Sequence, residues 1–125
     1  MAQSINLMKI LIVDDEPLIR LSLSRAFKAK GHEVHVAENG IEGEKLWLSL
    51  QPDAVVLDVL MPGLTGPQLI EKVKDSVETC KIVLISAYAG EYNMESAKKL
   101  GADLFIPKPF SDIFSVVTQV ESLFP

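Results

Sequence analysis

Cysteine is nearly absent. Cys80 is the only one in 125 residues, so no internal disulfide can form, and a reducing, cytoplasmic setting is the simplest expectation. It stands just before the apolar run "KIVLIS" with no histidine beside it in sequence, which argues against a nucleophilic role. No stretch of about 18 apolar residues occurs, which excludes a membrane-spanning helix. The opening "MAQSIN" lacks a basic start followed by a long apolar segment, so it does not read as a secretory signal. Positive charge is also scarce. Twelve Lys and Arg face seventeen Asp and Glu, and a net charge of −5 argues against binding nucleic acid through the domain's own field. Lys98-Lys99 therefore reads as a solvated helix face. A phosphate-cradling glycine loop is missing as well. No GxGxxG follows the first apolar run, and "PGLTGP" (Pro62 to Pro67) lacks the Lys-Ser/Thr ending of a P-loop. It reads instead as a turn after Asp58 that starts a helix. No Gly/Ser linker divides the chain, so one domain is expected over 8–125, preceded by an extension at 1–7.

What the chain does have is alternation. Five short apolar runs recur, rich in β-branched residues: Met8–Val13, Glu33–Ala37, Ala54–Leu57, Lys81–Ile85 and Leu104–Ile106. Most are continuously apolar, as in strands covered on both faces. Between them lie helical spacings. Pro17–Lys30 carries Leu18, Ile19, Leu23, Ala26 and Phe27 and stops at Gly31. Ile41–Leu50 places Ile41, Leu46 and Leu50 near one face; Gly66–Lys74, Glu91–Leu100 and Ser111–Leu123 follow. Strand and helix repeated in this way predict an α/β fold: a single doubly wound parallel sheet of five strands with helices on both faces.

In such sheets ligands bind beyond the carboxyl ends of the strands. The strand ends deliver Asp14 and Asp15, then Asp58, Ser86 and Lys108. Two carboxylates about 4 Å apart repel by roughly 4 kcal/mol at an effective dielectric near 20. Lys108 alone leaves negative charge in excess, and a divalent cation would balance it. Oxygen ligands without His or Cys suit Mg²⁺, with Mn²⁺ as the alternative. A metal, a carboxylate, a hydroxyl and a lysine together are the equipment of phosphoryl transfer. Asp58 is the expected nucleophile, because it stands alone while Asp14 and Asp15 can both serve the metal.

The segments "ILIVDDEP", "VVLDVLMPGLTG", "VLISAYA" and "GADLFIPKPF" resemble the receiver domains of two-component response regulators, and the resemblance runs from Lys9 to about Leu123. It implies a flavodoxin-like sheet in the order 2-1-3-4-5. It also implies Asp58 as phosphoacceptor, and Mg²⁺ on Asp15, Asp58 and the backbone carbonyl of Leu60, with Asp14 acting partly through water. Ser86 is then the hydroxyl that follows phosphorylation inward, Lys108 the lysine on the phosphate, and Phe105 the aromatic that reports the state. The Lys108-Pro109 bond is expected to be cis. Leu60 and Tyr88 are bulky where the family places the path of the hydrolytic water, so both are expected to prolong the acyl phosphate. The resemblance further implies a sensor histidine kinase or phosphotransfer protein as donor, and an output domain or separate protein downstream. Such a domain is not an enzyme beyond assisting its own phosphorylation and dephosphorylation.

Each residue also has an ordinary reading. Asp15 could cap the helix opening near Pro17, Ser86 could be a plain strand-end hydroxyl, Lys108 a loop lysine, and Phe105 a core aromatic. His32 and His35 read as structural or solvated. Only the combination promotes the set. A stripe of Ile113, Val116, Val117, Val120, Leu123 and Phe124 suits the last helix to covering the sheet. Phe114 falls off that stripe and points to a partner surface, or to a homodimer through the strand-four/helix-five face. Two rivals stand beside the signalling switch. One is an interaction module of the same fold that is never phosphorylated. The other is an aspartate-nucleophile phosphatase, disfavoured because Leu60 replaces its second acid.

Overall fold

The computed structural model describes residues 7–77, 79–87 and 93–125. Its elements alternate as β1 (Lys9–Val13), α1 (Pro17–Ala29), β2 (Glu33–Ala37), α2 (Gly40–Leu50), β3 (Ala54–Asp58), α3 (Gly66–Val73), β4 (Lys81–Ser86), α4 (Met94–Lys99), β5 (Leu104–Pro107) and α5 (Ile113–Glu121). The five strands form one sheet in the order β2-β1-β3-β4-β5, every pair parallel. This is the expected flavodoxin-like order.

Burial explains the continuous apolar runs. Along β1, Ile10 and Ile12 join one cluster with Leu23 and Phe27 of α1 and Val116, Val117 and Val120 of α5. Leu11 and Val13 join the other, with Trp47 of α2 and Leu69 and Val73 of α3. Alternate side chains point to opposite faces, so a strand covered twice needs apolar residues throughout. Full burial of side chains such as Phe27 or Leu57 contributes on the order of 1.5–3 kcal/mol each.

The helix faces depart from expectation in two places. Leu18 is 76% exposed and Ile41 64%. With Pro17 in its first turn, α1 turns Ile19, Leu23, Ala26 and Phe27 inward, the spacing of one helical stripe, and Leu18 lies off it. In α2 the inward stripe is Gly43, Leu46, Trp47 and Leu50, anchored by the fully buried Trp47. Caps set two helix starts as well. Asn93 accepts from the Ser96 N–H in extended backbone and caps α4, which begins at Met94; the expected start at Glu91 lies outside the described residues. Asp112 accepts from the Phe114 N–H, so α5 begins at Ile113 rather than Ser111. β4 is interior to the sheet and buried from Ile82 to Ser86. On α5, Phe114 is 48% exposed.

Three strands run longer than their apolar cores. β3 ends on Asp58, β4 on Ser86 and β5 on Pro107, just before Lys108. Asp58 and Ser86 are thus terminal ladder residues on rigid strands and not loop residues.

Candidate functional site

The carboxyl edge brings Asp14, Asp15, Asp58 and Lys108 together, as expected, and adds Glu16. Carboxyl oxygens of Asp14, Asp15, Glu16 and Asp58 all lie within 4.8 Å of one another. Lys108 Nζ sits among them, 2.8 Å from Asp14 Oδ2, 2.8 Å from Glu16 Oε1 and 3.5 Å from Asp58 Oδ2. Its side chain is only 6% exposed, so these contacts are poorly screened by solvent. The Lys108-Pro109 bond is cis, as expected. The Lys108 N–H donates to the Ser86 carbonyl, which fastens this loop to the end of β4.

Asp14 is held from several sides. Its Oδ1 accepts from the Glu16 N–H at 2.8 Å, its Oδ2 faces Lys108, and its backbone oxygen accepts from Arg20 Nη1 at 2.7 Å. Its own N–H donates to the Ala37 carbonyl of β2. Fully buried, with Oδ1 hydrogen-bonded and Oδ2 held only by the ion pair with Lys108, Asp14 is fixed in a way the exposed Asp15 is not. The alternative reading of Asp15 as a cap is set aside: Glu16 is the N-cap of α1, it makes no side-chain cap bond, and the carboxylate that accepts from the Glu16 N–H is that of Asp14.

The charge excess shows in the titration of these groups. Burial pushes the Asp58 carboxyl up to about 7, aided by the negative charges of Asp14 and Asp15 and opposed by Lys108. Burial likewise raises Asp14, against the Lys108 ammonium and the bond from the Glu16 N–H. For Lys108 burial acts downward, but the close carboxylates of Asp14 and Glu16 and the charge of Asp58 outweigh it and raise the ammonium's pKa. The set is all oxygen, carries four acids to one lysine, and leaves Asp15 and Asp58 less engaged by protein donors than Asp14. Those features fit a hard divalent cation.

The loop after β3 is shaped by close packing. A Cβ at Gly66 would stand 2.5 Å from the Asp58 carbonyl oxygen, so only glycine lets α3 start against that backbone. Thr65 and Gln68 form a capping box there, in line with reading "PGLTGP" as a turn that opens a helix. Ser86 is fully buried at the end of β4, and Phe105 packs, partly buried, against the cluster containing Leu84 and Ala97. Leu60 is 40% exposed; Tyr88 lies outside the described residues. His32 is buried and structural: its Nδ1 accepts from the Met8 N–H, so Nε2 carries the proton and donates to Glu121 at 2.8 Å. Cys80 is half-buried at the opposite end of the sheet from the acids, its thiol pushed up to about 12 by burial, and takes no part.

Glu16 was the residue that strand-end reasoning missed. It lies beyond the strand, and its ordinary role in "DDEP" is helix initiation. Its one signal was position, directly after an acid pair that already needed a counter-charge.

Fold and site together define a doubly wound domain with an acid cluster and one buried lysine at its switch edge. A sequence profile described as response regulator receiver domain matches residues 10–118. Sporulation initiation phosphotransferase F of Bacillus subtilis is 35% identical over 118 residues, covering 94% of each chain. Response regulator MprA of Mycobacterium sp. (strain KMS) is 35% identical over 103 residues, which is 82% of this chain and 45% of MprA. The chain thus spans about half the length of most of the curated relatives it matches. Among solved structures, response regulator TrrA of Thermotoga maritima, in complex with Mg²⁺-BeF, superimposes with a TM-score of 0.81 at 34% identity, covering 93% of this chain and 98% of TrrA. The chain belongs to the response regulator receiver domain family of two-component systems. Domains of this family are signalling modules, and the acid cluster is consistent with phosphorylation-dependent signalling and a metal site. No helix among the described residues is long and apolar enough to cross a membrane.

Proposed function

We propose that this domain is a phosphorylation-dependent switch that accepts a phosphoryl group on Asp58 from a histidine kinase or phosphotransfer protein. The observation that carries the reading is the buried Asp58 carboxylate at the end of a central strand, 3.5 Å from a buried lysine and surrounded by three further acids. An isolated ion pair would not need such an excess of negative charge; a site that receives a cation and a phosphoryl group does. Asp15, Asp58 and the Leu60 carbonyl are the proposed ligands of Mg²⁺, which when bound would neutralise charge on the transferring oxygens. Asp14 has one oxygen hydrogen-bonded to the Glu16 N–H and the other ion-paired with Lys108, which favours contact through water.

In this reading an Asp58 oxygen attacks the phosphorus of the donor, and the bond from phosphorus to the donor's nitrogen or oxygen breaks. The product is an acyl phosphate. Lys108 turns toward the new phosphate oxygens, and Ser86 donates its hydroxyl to one of them. Inward movement of Ser86 would let Phe105 repack and change the β4–β5 side for an output domain or separate partner. That TrrA was solved in complex with Mg²⁺-BeF supports a Mg²⁺-dependent reading for this chain. Leu60 and Tyr88 are proposed to shield the acyl phosphate from water.

Incubation with acetyl phosphate and Mg²⁺, read by intact mass, tests the reading. A single phosphoryl adduct is expected, absent without the metal and absent in Asp58→Asn. An adduct that survives Asp58→Asn would overturn it, and a protein that takes none would favour a non-phosphorylated interaction module. Spectra followed after donor removal read the lifetime, which Leu60→Asn and Tyr88→Glu should each shorten; unchanged lifetimes would remove the shielding role.

A further inference from the structure

An ammonium carries three N–H donors. On Lys108 one is donated to Glu16 Oε1 at 2.8 Å; Asp14 Oδ2 lies 2.8 Å away in an ion pair without a hydrogen bond, and Asp58 Oδ2 stands at 3.5 Å. The ammonium hydrogens lie off the carbon–nitrogen axis, so the one hydrogen bond to Glu16 sets the rotation about it. The ion pair with Asp14 fixes where the nitrogen stands, and the two together aim the remaining hydrogens.

The two fixed points differ in kind. Asp14 is buried and is itself held by the Glu16 N–H and, through its backbone, by Arg20. Glu16 is 57% exposed along its side chain and makes no capping bond for α1, although it occupies the N-cap position. Neither packing nor helix capping accounts for where its carboxylate lies. The contact with Lys108 does, and that contact ends on a side chain only 6% exposed.

From this we infer that Glu16 is a positioning residue: its hydrogen bond, with the Asp14 ion pair, orients the Lys108 ammonium so that another of its N–H groups is directed at the Asp58 carboxylate, where phosphoryl oxygens arrive. The role rests on Asp58 being the phosphoacceptor. Glu16 has a second effect that must be separated from this one. Its charge stands within 4.8 Å of the other acids and adds to the attraction for a cation. Glutamine separates the two, because it removes the charge and keeps an oxygen acceptor for Lys108. Alanine removes both.

The experiment compares Glu16→Ala, Glu16→Gln and the unaltered chain in two ways. The first is the NMR signal of the Lys108 side-chain ammonium in the metal-free protein, with exchange against water as readout. Glu16→Ala should loosen it and speed its exchange, while Glu16→Gln stays close to the unaltered chain. The second is the rate of phosphorylation by acetyl phosphate at saturating Mg²⁺, where differences in cation affinity no longer count. Loss of one orienting hydrogen bond should slow Glu16→Ala by about 3- to 10-fold, with Glu16→Gln within about twofold. Titration with Mg²⁺ alone should weaken in both variants alike.

A Glu16→Ala protein with unchanged ammonium exchange or an unchanged saturated rate would overturn the inference. So would a Glu16→Gln protein as slow as Glu16→Ala, since charge alone would then be responsible. If the unaltered chain takes no phosphoryl group, the phosphoacceptor reading fails instead. The ammonium exchange then still decides whether Glu16 anchors Lys108.

Discussion

At the amino end of the sheet Asp53 and Asp103 each close a two-bond clamp on a neighbouring strand; at the carboxyl end Asp14 and Asp58 face each other across one lysine. The Asp53 N–H donates to the Lys9 carbonyl and its Oδ2 accepts from the Lys9 N–H at 2.8 Å. Asp103 repeats this with Ile82, also at 2.8 Å on the carboxylate side. A third clamp uses histidine: Glu33 N–H donates to the Met8 carbonyl while His32 Nδ1 accepts from the Met8 N–H. These groups extend the parallel ladder by one rung and satisfy strand-starting amides that would otherwise need water. At the other end burial and mutual repulsion are left standing, and the Asp58 carboxyl is pushed up to about 7 as a result. The same residue type stabilises at one end and stores unfavourable charge at the other, because each amino-end acid answers a backbone donor whereas at the carboxyl end four acids crowd one lysine. Sites that act on ligands keep such groups uncompensated until the ligand arrives.

The largest test of the contrast is to remove the stored charge. With a folded pKa of about 7 against an ordinary 3.8, Asp58 keeps a proton across that window which the unfolded chain has already released. Its stabilising contribution is therefore whole below pH 3.8 and lost as the pH rises through about 7. Metal-free Asp58→Asn should accordingly be more stable than the unaltered chain at pH 8, by an amount on the order of a few kcal/mol, and lose most of the advantage as the pH falls to 5. Urea unfolding at both pH values, with and without Mg²⁺, measures it. Equal stability at pH 8 would mean that the acids at this end are as well compensated as those at the other.

The sequence was informative where physics acts along the chain. Strands buried on both faces had to be continuously apolar, so "ILIV", "AVVL" and "IVLI" were legible, and with them the carboxyl edge and its Asp14, Asp15, Asp58 and Lys108. Helix faces were less so. Leu18 and Ile41 are as hydrophobic as Ile19 and Leu46, and only the docking angle of each helix decides which is covered. Glu16 and the amino-end clamps stayed hidden for a further reason. Their partners lie 92 residues away for Glu16, 44 for Asp53 and 21 for Asp103, and no local pattern announces such pairings.

A smaller and graded test lies at the amino end. Both Asp53 and Asp103 precede the strand they introduce, in "PDAVV" and "ADLFI", and both make the same pair of bonds. Their exposure differs: the Asp103 bond is part-buried, whereas the Asp53 bond is exposed. Truncating Asp103 strands a part-buried amide of Ile82, at a cost of about 1–3 kcal/mol. Truncating Asp53 leaves the Lys9 amide where water can replace the carboxylate, so the cost should fall to roughly 0.5–1 kcal/mol. Asp103→Asn keeps an oxygen acceptor and should recover most of the loss. Denaturant midpoints for Asp53→Ala, Asp103→Ala and Asp103→Asn rank the three, and the acetyl phosphate reaction should run at an unchanged rate in each. If Asp103→Ala slowed that reaction while remaining folded, the two ends of the sheet would be mechanically coupled, and the division of labour between them would be wrong.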